Sequence, residues 1–161
     1  LTPEAVEQGD ALLLPDARVY VIDDAELQRV KDSYPLMWKS PDVKPKLAFI
    51  GCPHLSIGQL KSWTDRLEAG LKASGRSRLA YKTVLTAAPG VLEEFRATPY
   101  YERLRATGAR VSYICPLMYM NNPLCKNMPV LTNSNKLRTY TTARYMTDEE
   151  ITRKLTGKEE A

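Results

Sequence analysis

The sequence predicts an α/β domain of three layers, with helices over both faces of a mostly parallel sheet. Short β-rich runs alternate with longer stretches whose apolar residues recur at helical spacing. Glycine and proline fall at the joins between them. Alternating strand and helix builds a parallel sheet, because each crossover helix returns the chain to the same end. A chain of 161 residues suits one such domain, and a single α/β domain over 1–161 is expected.

Arg18–Ile22 is the first β-rich run. Asp23 to Glu26 give the acidic start of a helix carried by Leu27, Val30 and Tyr34 and ended by Pro35. A proline-rich loop over 40–45 leads to a buried-looking strand at Lys46–Ile50. Ser56 can cap the next helix, whose apolar face is Leu60, Trp63, Leu67 and Leu71, with Gly75 as its stop. Leu79–Leu85 reads as a strand. Pro89 opens a helical stretch to Thr107, with Leu92, Phe95 and Leu104 inward and a break at Pro99. Gly108 closes it before a strand at Arg110–Ile114. Leu117–Lys126 is irregular, Pro129–Thr132 is a short strand, and Asn133-Ser134 leads into a helix to Tyr145. Thr147–Glu150 is a capping-box pattern for a last helix ended by Gly157, and Lys158–Ala161 is a polar tail.

Composition narrows the function classes. Hydrophobic residues at 43% and charged residues at 26% exclude a disordered or collagen-like chain. Apolar runs stay far below the roughly 20 residues of a membrane-spanning helix, no secretory leader is visible, and no membrane partner is expected. The net charge of +4 is modest, and the dense basic cluster from Lys72 to Arg78 sits among Gly and Ser as in a solvated turn. Without aromatic interleaving there, no nucleic-acid partner is expected either. Cys52, Cys115 and Cys125 are odd in number and widely spaced, which argues against a disulfide framework and for a reducing, cytoplasmic setting. The opening Leu1-Thr-Pro-Glu-Ala5 has no starting Met and reads as cut from a longer chain.

Three segments fall at expected strand ends, the edge where parallel sheets bind ligands. In Gly51-Cys-Pro-His54, glycine permits a tight exit and proline fixes the turn, which puts Cys52 just before a helix N-terminus. Free N–H groups there favour a thiolate, which binds iron or zinc or attacks an electrophile. A buried, inert thiol is the alternative. His54 is the single histidine of the chain and could hydrogen-bond a carboxylate or act as an acid. Cys115-Pro116 repeats the strand–Cys–Pro arrangement. Two such thiolates could hold an iron–sulfur cluster or a metal, with Cys125 a third ligand or a bystander. Thr132-Asn-Ser-Asn-Lys136 sets hydroxyls, amides and an ammonium at a strand-to-helix junction suited to an anion. Ser134 could serve as a base, and Lys136 and Arg138 could hold a carboxylate or phosphate; plain N-capping is the simpler role for Ser134. A thiol enzyme with Cys52 as nucleophile and His54 as base stays open, as does a metal- or ligand-binding module without catalysis.

Gly51-Cys-Pro-His-Leu-Ser56, Cys115-Pro116 and Leu131-Thr-Asn-Ser-Asn-Lys136 with Tyr140, in that order, resemble the large catalytic subunit of the aconitase X family. Leu1-Thr-Pro-Glu-Ala5 is similar to a Gly-(Leu/Val)-Thr-Pro-Glu-Ala segment in the middle of that subunit. The resemblance implies an aconitase-like fold and a C-terminal portion of a longer subunit. It implies a hydro-lyase that dehydrates a small hydroxy acid, cis-3-hydroxyproline or phosphomevalonate, with an iron–sulfur cluster or mononuclear iron acting on the leaving hydroxyl. By the same resemblance Cys52 and Cys115 are iron ligands and Ser134 is the proton-abstracting base. His54, Thr132, Asn133 and Lys136 then line the substrate site. The implied partners are a small swivelling domain or subunit and the remainder of the large subunit, so the isolated chain is expected to fold but not to catalyse.

Overall fold

The computed structural model describes residues 2–157, so Leu1 and the expected polar tail at 158–161 lie outside the described residues. The chain divides into two compact units, Leu1–Pro35 and Leu36–Ala161. In the first, helix α1 (Pro3–Gln8) starts behind Thr2, whose hydroxyl accepts the Ala5 N–H, and runs into a 3-10 turn at Gly9–Leu12. Helix α2 (Asp24–Asp32) starts behind Asp23, whose carboxylate accepts the Glu26 N–H at 2.8 Å. Both caps satisfy amides that a first helical turn leaves without a partner. Arg18–Ile22 corrects the sequence expectation, because it belongs to no strand and Val19 is 90% exposed. β propensity reflects packing on a pleated surface, and without a neighbouring strand it produces only extended backbone.

The second unit carries a five-stranded parallel sheet in the order β3-β2-β1-β4-β5. Its strands are β1 (Leu47–Leu55), β2 (Lys82–Ala87), β3 (Arg110–Ser112), β4 (Val130–Thr132) and β5 (Arg144–Tyr145). Helix α3 (Ile57–Ser74) joins β1 to β2, and α4 (Pro89–Arg96) with α5 (Pro99–Ala106) joins β2 to β3. Helix α6 (Pro116–Met120) precedes β4, α7 (Asn135–Tyr140) joins β4 to β5, and α8 (Asp148–Thr156) follows.

The period of two along β1 sorts the layers. Ala48 and Ile50 enter a core with Leu60 and Leu67 of α3, Phe95 of α4, Leu104 of α5 and Leu155 of α8. Leu47 and Phe49 enter a second, smaller core with Val130, Met120 of α6 and Leu137 of α7. A strand buried on both faces reads as an unbroken apolar run, as Leu-Ala-Phe-Ile does. The expected three-layer α/β class is borne out.

The expected limits of several elements shift. The strand after α3 begins at Lys82 rather than Leu79, because the Leu79 N–H bonds the Thr107 carbonyl at 2.9 Å and the Ala80 N–H the Leu155 carbonyl at 2.8 Å. The helix expected to reach Tyr145 stops at Tyr140. Thr141 is extended, and its hydroxyl donates to the Leu137 carbonyl at 2.6 Å and accepts the Ala143 N–H at 3.1 Å. Such local bonds let threonine replace the helical ladder, and Arg144–Tyr145 is free to pair with Leu131–Thr132. The stretch expected to be irregular from Leu117 falls partly within α6.

Candidate active site

From β1 the sheet grows to one side through β2 and β3, and the chain then returns to the other side as β4 and β5. Open parallel sheets bind ligands at the carboxyl ends of the strands flanking such a reversal, here β1 and β4. The segments singled out from sequence lie at this edge. Gly51–His54 is the distal part of β1, Thr132–Lys136 spans the end of β4 and the start of α7, and Cys115 lies just beyond β3.

Gly51 makes the β1 extension possible. Its φ is 110°, and a Cβ there would stand 2.5 Å from the Thr86 carbonyl oxygen and 2.8 Å from Thr86 Oγ1. Thr86, fully buried on β2, donates its hydroxyl to the Gly51 carbonyl at 2.5 Å. The β1–β2 register shifts between Ile50 and Leu55, which carries Cys52, Pro53 and His54 off the regular ladder. Pro53 has no N–H to contribute and suits that position. The Cys52–Pro53 peptide is cis. Cys52 therefore does not stand at a helix N-terminus, contrary to expectation: the strand runs on to Leu55, and α3 begins at Ile57 behind a capping box of Ser56 and Gln59.

Ser134 is 5% exposed. Its Oγ accepts the Leu137 N–H at 3.0 Å, capping α7, and its hydroxyl donates to the Cys52 carbonyl. One side chain thus ties the β1 segment to the β4 segment. Thr132 is fully buried, with Oγ1 accepting the Ser134 N–H at 3.1 Å, so it orients the turn from within. Asn133 donates from Nδ2 to Asp148 Oδ1 at 2.8 Å, fixing the turn to the start of α8. His54 and Lys136 are exposed, and among the described residues neither side chain has a hydrogen-bond or ion-pair partner. Cys115 precedes α6, and Leu117 and Met120 of that helix pack in the same small core as Cys52 and Leu137. All three segments therefore rest on one apolar cluster beneath the carboxyl edge.

The three cysteines are half-buried free thiols. Cys125 is engaged by Tyr119, whose phenol is held above its usual range first by the hydrogen bond with that thiol and then by burial. Among the described residues no three His, Cys, Asp or Glu side chains group as a metal set. A structural metal or cluster site takes three or four protein ligands, so Cys52 and Cys115, thiols of the soft kind that iron takes, would not complete one by themselves. Among the described residues no hydrogen bond joins His54 to Cys52, so the nucleophile–base pair of a thiol enzyme is not formed.

Sequence spacing does not single out Thr86, Asp148 or the Tyr119–Cys125 pair. Thr86 follows directly on the run expected to end at Leu85, and a buried hydroxyl at a strand end was its only signal. Asp148 reads in sequence as part of a capping pattern, with nothing in linear order to join it to Asn133.

Residues 45–154 match the family model described as aconitase X third domain. No curated protein matches the chain. Among solved structures, Thermococcus kodakaraensis aconitase X in its holo-form superposes on 83% of this chain with a TM-score of 0.64 at 21% identity, a likeness of fold. The chain spans 33% of the length of that protein. The family match runs from just before β1 into α8 and so encloses the whole sheet and every segment at its carboxyl edge. On that match the chain belongs to the aconitase X third-domain family.

Proposed function

We propose that this chain supplies part of the active site of an aconitase X hydro-lyase, which removes water from a small hydroxy acid of the cis-3-hydroxyproline type. The observation that supports this best is the Ser134 hydroxyl bonded to the Cys52 carbonyl where β1 and β4 part. That link joins a candidate base to a candidate metal ligand at the edge where such sheets bind ligands. Cys52 and Cys115 would hold an iron–sulfur cluster or a mononuclear iron. The remaining ligands and a swivelling domain would come from the rest of the enzyme, and a reducing cytoplasm would keep the thiols available. Bound iron supplies Lewis-acid polarisation of the leaving hydroxyl.

The other roles belong to side chains of this chain. Ser134, as the alkoxide, takes the proton from carbon as hydroxide leaves the neighbouring carbon and takes up a proton from solvent, so that a double bond and water result. Its oxygen already receives the Leu137 N–H at 3.0 Å, and a peptide N–H aimed at that atom stabilises negative charge on it. Its own hydrogen rests on the Cys52 carbonyl and passes to solvent before Oγ acts as a base. The ammonium of Lys136 holds the substrate carboxylate, His54 donates a hydrogen bond to it, and the amide oxygen of Asn133, a side chain whose N–H is held by Asp148, accepts from a substrate N–H or O–H. Thr132 acts by orienting Ser134.

In the enzyme assembled from this chain and the rest of an aconitase X polypeptide, Ser134→Ala should abolish dehydration and leave iron content intact. Turnover within tenfold of the unmodified enzyme would remove Ser134 as the base.

A further inference from the structure

A cleft of about 750 Å³ opens at the amino-terminal ends of β2 and β3, the opposite edge of the sheet from Cys52 and Ser134. Arg78, Arg96, Arg105 and Arg110 line it together with Tyr101 and Glu102. Arg78 lies in the loop before β2, Arg110 opens β3, and Arg96 and Arg105 close α4 and α5. The bond from the Leu79 N–H to the Thr107 carbonyl, 2.9 Å, pins the two loops together and fixes the mouth of the cleft.

Four arginines line the cleft against one carboxylate, and that carboxylate is taken: Glu102 pairs with Arg105 at 3.2 Å. Arg105 also stacks over Tyr101 at 5.6 Å, so the ring is covered. The side chains of Arg78, Arg96 and Arg110 have no hydrogen-bond, ion-pair or ring partner among the described residues. Cations in a last helical turn offset the negative end of the helix, which accounts for Arg96 and Arg105. It does not account for Arg78 in a loop or Arg110 on a strand. Like charges gathered around one hollow repel unless an anion lies between them. Guanidinium forks match phosphate oxygens two at a time, and charge arriving from several sides of the cleft suits several phosphate oxygens rather than a single carboxylate. The volume falls in the usual range for small ligands.

We propose that this cleft is an anion site for a polyphosphate group, remote from the dehydration site and independent of the hydro-lyase reading. With Tyr101 already covered, the site recognises the phosphates and not a base, so free pyrophosphate and the triphosphate of ATP bind alike and adenosine does not bind.

Titration calorimetry of the full 161-residue chain with inorganic pyrophosphate at low ionic strength tests this. The expected result is binding that weakens as salt is added. The Arg96→Gln/Arg110→Gln variant should raise Kd at least tenfold, and Lys136→Gln at the opposite edge should leave it unchanged. Arg78→Gln in the loop, expected to weaken binding severalfold, provides a second variant should the double one lose its fold. No binding at millimolar pyrophosphate, an unchanged Kd in the arginine variants, or loss of binding in Lys136→Gln would overturn the proposal. Binding of adenosine equal to that of ATP would do the same.

Discussion

Removing the Ser134 hydroxyl should cost folding stability as well as catalysis. The side chain is 5% exposed, so water has little access to replace what it supplies. Ser134→Ala deletes the cap on the Leu137 N–H and the link to the Cys52 carbonyl in one step. Loss of a serine N-cap costs about 1 kcal/mol. Loss of a neutral hydrogen bond costs about 1 kcal/mol more. The sum, about 2 kcal/mol, should lower the urea midpoint of the second unit by roughly 1 M at an m-value of about 2 kcal/mol/M. Ser134→Asp restores the cap but cannot donate to a carbonyl, so it should recover no more than half of the loss. Urea unfolding followed by circular dichroism reads all three proteins. A Ser134→Ala midpoint within ~0.2 M of the unmodified chain would refute the double role, since losing even one such bond should move it further.

Gly51→Ala should destabilise by about 3 kcal/mol or more, because left-handed strain and overpacking each cost of order 1–3 kcal/mol. Gly90→Ala, where a Cβ meets nothing within 4 Å, is the control, and equal unfolding midpoints for the two variants would contradict the contact with Thr86. In the first unit, hydrogen bonds from Arg29 and then Tyr20 hold the Glu26 carboxyl at about 2. A depressed carboxyl stabilises the folded form above its unfolded pKa of about 4.3. That stability should be lost as pH falls through the folded value of about 2. A carbon-detected titration with a midpoint near ~4.3 would show that those bonds are absent in solution. Cys125→Ala should let the raised Tyr119 phenol fall toward its ordinary range in a tyrosine-labelled NMR titration, and an unmoved midpoint would dissociate the pair.

Local patterns carried most of the fold. Leu60, Trp63, Leu67 and Leu71 are all buried on α3, and Pro99 does divide α4 from α5. Strand identity was less legible, because a strand exists only where an edge accepts it. Val19-Tyr-Val-Ile22 has the stronger β composition, yet Arg144–Tyr145 meets the open side of β4 and becomes the fifth strand. The gathering of Cys52, Cys115 and Ser134 at one edge follows from a parallel sheet, whose strands all end on the same side. The surroundings of Cys52 were not legible, since strand or helix after Gly51 depends on a backbone contact with Thr86 on another element. The same holds for Asn133 and Asp148, which meet through the return of α8 to the β4 turn.

The most direct test of the proposed site is the iron and acid-labile sulfide of the assembled enzyme after anaerobic reconstitution, compared with its Cys52→Ser/Cys115→Ser variant. Iron held by the unmodified enzyme and lost, together with dehydration, from the double variant is the expected result. Equal iron in the two proteins would contradict the assignment of these thiols as ligands.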